Sequence, residues 1–304
     1  MKKYLKKLLC TIFAISMLLV SAIHVNAATP YKAIYEKTKV GSYYIWATYN
    51  KGIYVSKSKT SSGKKIVTAP STSNTRLIHQ LVTNGSKIYY GVEKSGSDGC
   101  SDYMKIYRID VSGKNKIYIG KVSHGSNVSG YYNGKLFVER DSYYKGSYDP
   151  TQADTYSYDL STKKLSLVKR GFKIDQQNGK YILGSPYTGD YGPLPIHLYN
   201  ASTKKIYKIS STGANAKFLN GKIYYADLKN LYNEKASSRK VSIKTSSYTG
   251  SNQKTLCTIK MENGGYIVDI TSSYVKYGKN NKDYSSTTYY KCYYSSGKIV
   301  KTTK

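Results

Sequence analysis

One phrase recurs through this chain: a glycine turn, usually with asparagine before it and lysine after it, opening into a short β-branched and aromatic run. It reads Asn84-Gly85-Ser86-Lys87-Ile88-Tyr89-Tyr90, Asn133-Gly134-Lys135-Leu136-Phe137-Val138, Asn178-Gly179-Lys180-Tyr181-Ile182-Leu183 and Asn220-Gly221-Lys222-Ile223-Tyr224-Tyr225. Looser copies stand at Gly41-Ser42-Tyr43-Tyr44-Ile45 and Ser273-Tyr274-Val275-Lys276-Tyr277. Successive glycines lie 44, 49, 45 and 42 residues apart, and Ser273 follows 52 residues later. A period of roughly 40 to 50 residues is that of a β-propeller blade.

Within each unit the phrase is followed by a variable stretch, a second strand, a tight polar turn and a third strand. One unit shows this as Ile106-Tyr107-Arg108-Ile109-Asp110, then Ser112-Gly113-Lys114-Asn115, then Lys116-Ile117-Tyr118-Ile119. A further short strand precedes each glycine turn, as at Leu77 to Val82 and Lys217 to Leu219. Four strands joined as a meander make a propeller blade. The expected fold is therefore all-β, a six-bladed β-propeller of four-stranded antiparallel blades. Its units are 30–76, 77–126, 127–170, 171–214, 215–264 and 265–304. Both ends of the chain coincide with unit boundaries, so no strand is left to complete a blade across the seam, and closure must come from packing between the first and last blades. Asn-Gly suits the positive φ angles of type I′ hairpin turns. The 36 tyrosines, against one Trp and four Phe, fill strand positions with an aromatic that can keep its hydroxyl at water, as suits partly dry sheet faces.

At Gly85-Ser86-Lys87-Ile88-Tyr89-Tyr90, Ile106-Tyr107-Arg108-Ile109-Asp110 and Gly221-Lys222-Ile223-Tyr224-Tyr225 the chain resembles the YWTD-like propellers related to the low-density-lipoprotein-receptor type, specifically a group of secreted bacterial domains of unknown function. The resemblance runs from about Val40 to the end of the chain. The Tyr-Trp-Thr-Asp tetrapeptide itself is absent, and the single Trp46 follows Tyr44-Ile45. The resemblance implies a propeller with a binding role and carries no catalytic residues to transfer.

The N-terminus places Lys2, Lys3, Lys6 and Lys7 before an apolar run from Leu8 to Val20 and a small-residue end at Val25-Asn26-Ala27. This order reads as a signal peptide, residues 1–27, cleaved after Ala27 to leave a single propeller domain over 28–304. The apolar run is too short for a membrane span, and no second one follows, so the expectation is a secreted, monomeric protein with no transmembrane segment. Net charge is +31, from 48 Lys plus Arg against 17 Asp plus Glu. Arginine occurs only at positions 76, 108, 140, 170 and 239. Lysine is a hydrated point charge rather than a bidentate fork, which favours diffuse attraction to polyanions over base reading of nucleic acid. After cleavage the cysteines are Cys100, Cys257 and Cys292. An odd number precludes full internal pairing; Cys257 and Cys292 fall in strands of the last two units and could pair, which the spacing leaves open.

Sites belong where the repeat breaks down. The connections between second and third strands are long, at 91–104, 139–153, 184–195, 227–238 and 277–286, and loops of this kind on a rigid scaffold concentrate binding groups. Ten of the 17 acidic residues fall there: Glu93, Asp98, Asp102, Glu139, Asp141, Asp149, Asp190, Asp227, Glu234 and Asp283. The candidate ligand face comprises Asp102, Tyr103, Asp141, Tyr143, Tyr144, Tyr148, Asp149, Tyr187, Asp190, Tyr191, Asp227, Tyr232, Asp283 and Tyr284. Carboxylates beside tyrosines suit a glycan or a basic protein segment. His79, His124 and His197 sit in different units without a catalytic motif, no metal-binding spacing occurs, and no cofactor is called for. The leading expectation is a secreted, non-catalytic binding or scaffold module, its loop face recognising a glycan or extracellular protein and its lysines holding anionic cell-wall polymer. The alternatives are polyanion binding by lysines alone and a polysaccharide hydrolase, with paired carboxylates such as Asp141 and Asp190.

Overall fold

The structure is a computed structural model, and it describes residues 31–96, 101–142, 152–186, 194–231, 235 and 238–303. Among them every regular element is a β-strand, apart from an isolated turn of 3₁₀ geometry at Ser238. A short β1 (Lys32–Ile34) precedes a four-stranded meander of β2 (Thr38–Val40), β3 (Tyr43–Thr48), β4 (Gly52–Ser56) and β5 (Lys64–Thr68). The second sheet runs β6 (Thr75–Thr83), β7 (Lys87–Ser95), β8 (Ser101–Asp110) and β9 (Ile117–Ser123), and the third β10 (Gly125–Tyr132), β11 (Lys135–Ser142), β12 (Gln152–Asp159) and β13 (Leu165–Lys169). A seven-stranded sheet follows: β14 (Lys173–Asn178), β15 (Tyr181–Ser185), β16 (Leu194–Asn200), β17 (Lys205–Leu219), β18 (Lys222–Asn230), β19 (Lys240–Ser246) and β20 (Lys254–Lys260). The last sheet is β21 (Gly265–Ile270), β22 (Tyr274–Asn280), β23 (Thr287–Tyr293) and β24 (Ile299–Thr302).

Hydrogen bonding therefore counts five sheets where the repeat predicts six. The reason is local. Strand β17 is 15 residues long; its first part pairs with β16, from Asn200↔Lys205 to Leu194↔Gly213, and its second with β18, from Gly213↔Asp227 to Leu219↔Lys222. Elsewhere the chain breaks between units, as at 69–74 and 261–264, but here it stays extended. The Thr212 hydroxyl donates to Asp227 Oδ1 at 2.8 Å at the crossing.

The repeated phrase occupies the turn between the first two strands of a unit, as its spacing predicts. At Asn133-Gly134 and Asn220-Gly221 both residues have positive φ, the type I′ pattern. At Asn84-Gly85 only the glycine does, because the Asn84 side chain folds back to accept from Ser86 N at 3.1 Å and Lys87 N at 2.9 Å.

The strand after the turn is apolar without alternation because both of its faces are covered. In β7, Ile88 and Tyr90 pack toward the first sheet with Ile45, Ile53 and Val55, whereas Tyr89 packs toward the third with Val128 and Leu136. In β11, Leu136 and Val138 face back and Phe137 faces forward to Phe172, Ile182 and Tyr199. In β18, Ile223 and Tyr225 join Leu183 and Leu198, and Tyr224 joins the cluster that contains Val275, Tyr277 and Cys292. The expectation that tyrosines keep their hydroxyls at water fails at Tyr90, Tyr225 and Tyr277, which are fully buried. Ring packing holds them instead: Tyr90 stacks on Tyr107 at 5.5 Å and Tyr277 on Tyr290 at 5.6 Å.

Five clusters thus join consecutive units. Among the described residues, no such cluster joins β21–β24 to β2–β5, and Tyr266 and Val268 on β21 remain 46% and 37% exposed. The first strand also departs from the expected unit of 30–76. Instead of opening the first sheet, β1 pairs antiparallel with β6, Lys32↔Thr83 to Ile34↔Leu81, and runs against β10 and β14. Tyr31 anchors it, its ring 5.6 Å from that of Tyr89 and 4.1 Å from that of Tyr131. The N-terminal strand therefore fills the place where the opening strands of three units converge.

Candidate functional site

The residues that the sequence assigns to loops divide into three groups, and of the described ones Asp102 and Tyr103 stand instead on β8, Asp141 on β11 and Asp227 on β18. Tyr143, Tyr144, Tyr148, Asp149, Tyr187, Asp190, Tyr191 and Tyr232 lie outside the described residues. Asp102 and Asp141 are brought together through His124, whose N–H donates to Asp102 O at 3.1 Å and whose carbonyl accepts from Asp141 N at 3.0 Å. Beside them, the Tyr103 ring has the ammonium groups of Lys94, Lys105 and Lys121 at 5.9, 5.7 and 4.8 Å from its centre. That is a cation-rich spot on an aromatic face.

Asp227, Asp283 and Tyr284 are placed elsewhere. Asp227 accepts from Lys244 Nζ at 2.6 Å, from Thr212 Oγ1 and from Lys229 N at 3.0 Å. Burial alone would raise its carboxyl, but these donors outweigh it and hold the group below the usual range. Asp283 spends its carboxylate on its own turn, accepting from Ser285 N at 3.1 Å and Ser285 Oγ at 2.8 Å, and those bonds lower it. Tyr284 is 62% exposed next to it. Both aspartates are committed to local structure.

A second set of carboxylates gathers where β1, β11 and β14 meet. Glu139 is 1% exposed, and accepts from Ile174 N at 2.9 Å and from Asn127 Nδ2 at 3.0 Å. Burial pushes its carboxyl up against the pull of those donors and of Lys173. On β14, Asp175 accepts from Ser185 Oγ at 2.9 Å. Crowding by protein raises its carboxyl to about 6, with Glu139 adding to the rise and Ser185 and Lys173 opposing it. The group is nonetheless open to solvent on one side, because it lines a cavity of about 350 Å³ with Ser185, Ile196, Gly213 and Lys217. Lys217 stands in an ion pair with Asp269. Just past the end of β1, Tyr35 is 52% exposed as a residue while its hydroxyl donates to Ile174 O at 3.4 Å; crowding there, then the charges of Glu139 and Asp175, push it upward.

Sequence reasoning counted Glu139 among the loop acids without selecting it, and passed over Asp175 and Tyr35. A signal was present. Lys173-Ile174-Asp175-Gln176-Gln177 is a polar run at the opening strand of its unit, with Ile174 its one apolar residue. The arrangement suits proton transfer: a carboxyl raised to about 6 and a second one held in the protonated direction. Among the described residues no three or more of His, Cys, Asp and Glu stand together in a way that could hold a metal ion.

No known protein family matches the chain, and no curated protein does. Solved structures do. An acylaminoacyl peptidase from Pyrococcus horikoshii is similar with a TM-score of 0.55 and 15% identity, over 90% of this chain and 45% of that one. An oligogalacturonate lyase in complex with manganese is similar with a TM-score of 0.53 and 10% identity, over 89% of this chain and 77% of that one. The β-propeller domain of a trilobed protease from Pyrococcus furiosus matches with a TM-score of 0.46 and 10% identity, over 72% of this chain and 68% of that one. The chain spans about half the length of the peptidases it matches. No donor set for the manganese of that lyase structure is found among the described residues.

These findings correct the expectation of a non-catalytic module. The solved structures of similar fold include those of a lyase and a peptidase, so the fold does not argue against catalysis. At this level of identity the likeness is one of architecture: an all-β chain of antiparallel meanders.

Proposed function

We propose that this chain is a six-bladed propeller that acts on an acidic polysaccharide, with Asp175 as the proton-transferring carboxyl. The blade count follows from reading the seven-stranded sheet as two meanders, β14 to the first half of β17 and the second half of β17 to β20, fused by one continuous strand. The observation that carries the activity is the placement of Asp175, raised to about 6 beside the buried Glu139, in a solvent-connected cavity that also holds Lys217. A carboxyl poised there can give or take a proton at a sugar carbon or glycosidic oxygen near neutral pH. Lys217 lines the cavity while paired with Asp269, and an acidic glycan would compete with Asp269 for it, in keeping with the lysine-dominated charge. An oligogalacturonate lyase among the similar folds is consistent with this substrate class. The N-terminal residues 1–27 fit export to where such polymers occur, and the YWTD-like resemblance fits a secreted propeller.

The test is turnover. The purified protein is incubated with polygalacturonate, alginate and a sulfated glycan across pH 5–8, following new reducing ends and the ultraviolet absorbance of unsaturated uronic ends. Wild type should release product from one polyuronate, and Asp175→Asn should lose at least ~100-fold. Product formation unchanged in Asp175→Asn, or none from any polymer, overturns the proposal.

A second reading, capture of polyanions by lysine alone, is favoured by the three lysines around Tyr103. Retention on immobilised polygalacturonate that disappears by moderate salt, with no turnover at any pH, selects it.

A further inference from the structure

Cys257 and Cys292 stand in the cluster that joins the last sheet to the one before it. The cluster between β19–β20 and β21–β24 contains both. Cys257 lies two residues from Ile259 on β20, and the register Ile243↔Cys257 and Val241↔Ile259 directs both toward the last sheet. Cys292, 3% exposed, sits on β23 opposite Val275 and points back into the same cluster. Both side chains belong to the one cluster that also holds Tyr277, with Tyr294 packed against it. Both stand as free cysteines.

The position matters because, among the described residues, no hydrophobic cluster joins the last sheet to the first. Every other unit except the first is held on two faces, whereas β21–β24 share a hydrophobic cluster only with the sheet before them among the described residues. A terminal unit held on one face opens more readily than the rest. A cross-link across that single interface would restrain the end of the ring where packing does least.

We propose that Cys257 and Cys292 form an inter-blade disulfide when the protein meets a low-molecular-weight disulfide outside the cell. The more accessible Cys257 thiolate attacks one sulfur of the small disulfide and releases one small thiolate. Cys292, having lost its proton, then attacks Cys257 Sγ and displaces the second. Two S–H bonds and the small S–S bond are broken; the protein gains one S–S bond and loses two protons and two electrons, and the small disulfide is reduced to two thiols. Cys100 is not used.

The experiment is oxidation of the full purified protein with oxidised glutathione, alkylation under denaturing conditions, and peptide mass analysis. The expected product is a cross-linked pair of peptides holding Cys257 and Cys292, lighter by two hydrogens than the sum of the free peptides, with Cys100 alkylated. Thermal unfolding should shift down by about 5 °C or more on reduction, and Cys257→Ser should unfold at the temperature of the reduced wild type whether or not reductant is present. Because Cys292 is buried and its variant can fail to fold, Cys257→Ser is the deciding substitution. Recovery of Cys257 and Cys292 both alkylated after oxidation, or cross-linking of either to Cys100, overturns the assignment, as does a reductant-insensitive unfolding temperature in wild type.

Discussion

Replacing Asp175 with Asn tests the candidate site through stability as well as through turnover. The carboxyl has an ordinary value of 3.8 and is raised to about 6 in the folded chain, first by crowding and then by Glu139. A raised acid binds its proton more tightly when folded, so its contribution to stability is complete below about pH 3.8 and is lost as pH climbs through about 6. The whole shift would correspond to about 3 kcal/mol. Asp175 is open to solvent on its cavity side, and screening there reduces the expected figure to about 1 kcal/mol. Asparagine keeps the shape and can still accept from Ser185 Oγ. Asp175→Asn should therefore match wild type at pH 4 and exceed it by about 1 kcal/mol at pH 7.5, or about 2–4 °C in thermal unfolding. Urea titrations of both proteins at the two pH values measure this. A difference that does not change with pH, or a variant less stable than wild type at pH 7.5, would show that Lys173 holds the carboxylate charged, and the proton-transfer role would fall with it.

Three further outcomes follow from particular contacts. Arg76 Nε donates to Glu93 Oε2 at 2.6 Å while the Glu93 side chain is only 2% exposed. Arg76→Leu strands that buried carboxylate and should lose about 3 kcal/mol in urea unfolding, with recovery in the double variant carrying Glu93→Gln. The Tyr90 hydroxyl is buried without a partner, so Tyr90→Phe should be neutral or stabilising by up to about 1 kcal/mol, whereas Tyr90→Ala should lose about 3–5 kcal/mol. Gly52 has φ +140° and an added Cβ would lie 2.0 Å from Val67 O, whereas Gly134, at φ +75°, has no atom within 4 Å of that position. Gly52→Ala should fail to yield folded protein, and Gly134→Ala should cost about 1 kcal/mol, read as soluble yield and thermal unfolding.

Local chemistry made much of this architecture readable. Turn residues recur at fixed spacing, so the glycine turns, the strand after each and the meander order were all visible before any contact was known. The fusion of two meanders through β17 was not visible, because nothing local distinguishes 210–213 from the breaks elsewhere; it depends on Asp227 and Thr212 meeting across strands. The candidate site was hidden for a related reason. Asp102, Asp141, Asp227 and Asp283 were chosen by loop membership, yet Asp227 and Asp283 are consumed by nearby donors. Asp175 sits mid-strand and owes its raised value first to crowding by the protein around it and then to Glu139, 36 residues away in sequence.

Sequence alone determined the repeat, the all-β character and the lysine-dominated charge, since each is a property of residue type and spacing. Only the tertiary structure decided which carboxyls are burdened with burial, where the first strand runs, and that among the described residues the last unit shares its hydrophobic cluster with the sheet before it. Those depend on which distant segments come together, and burial and charge coupling act through space rather than along the chain.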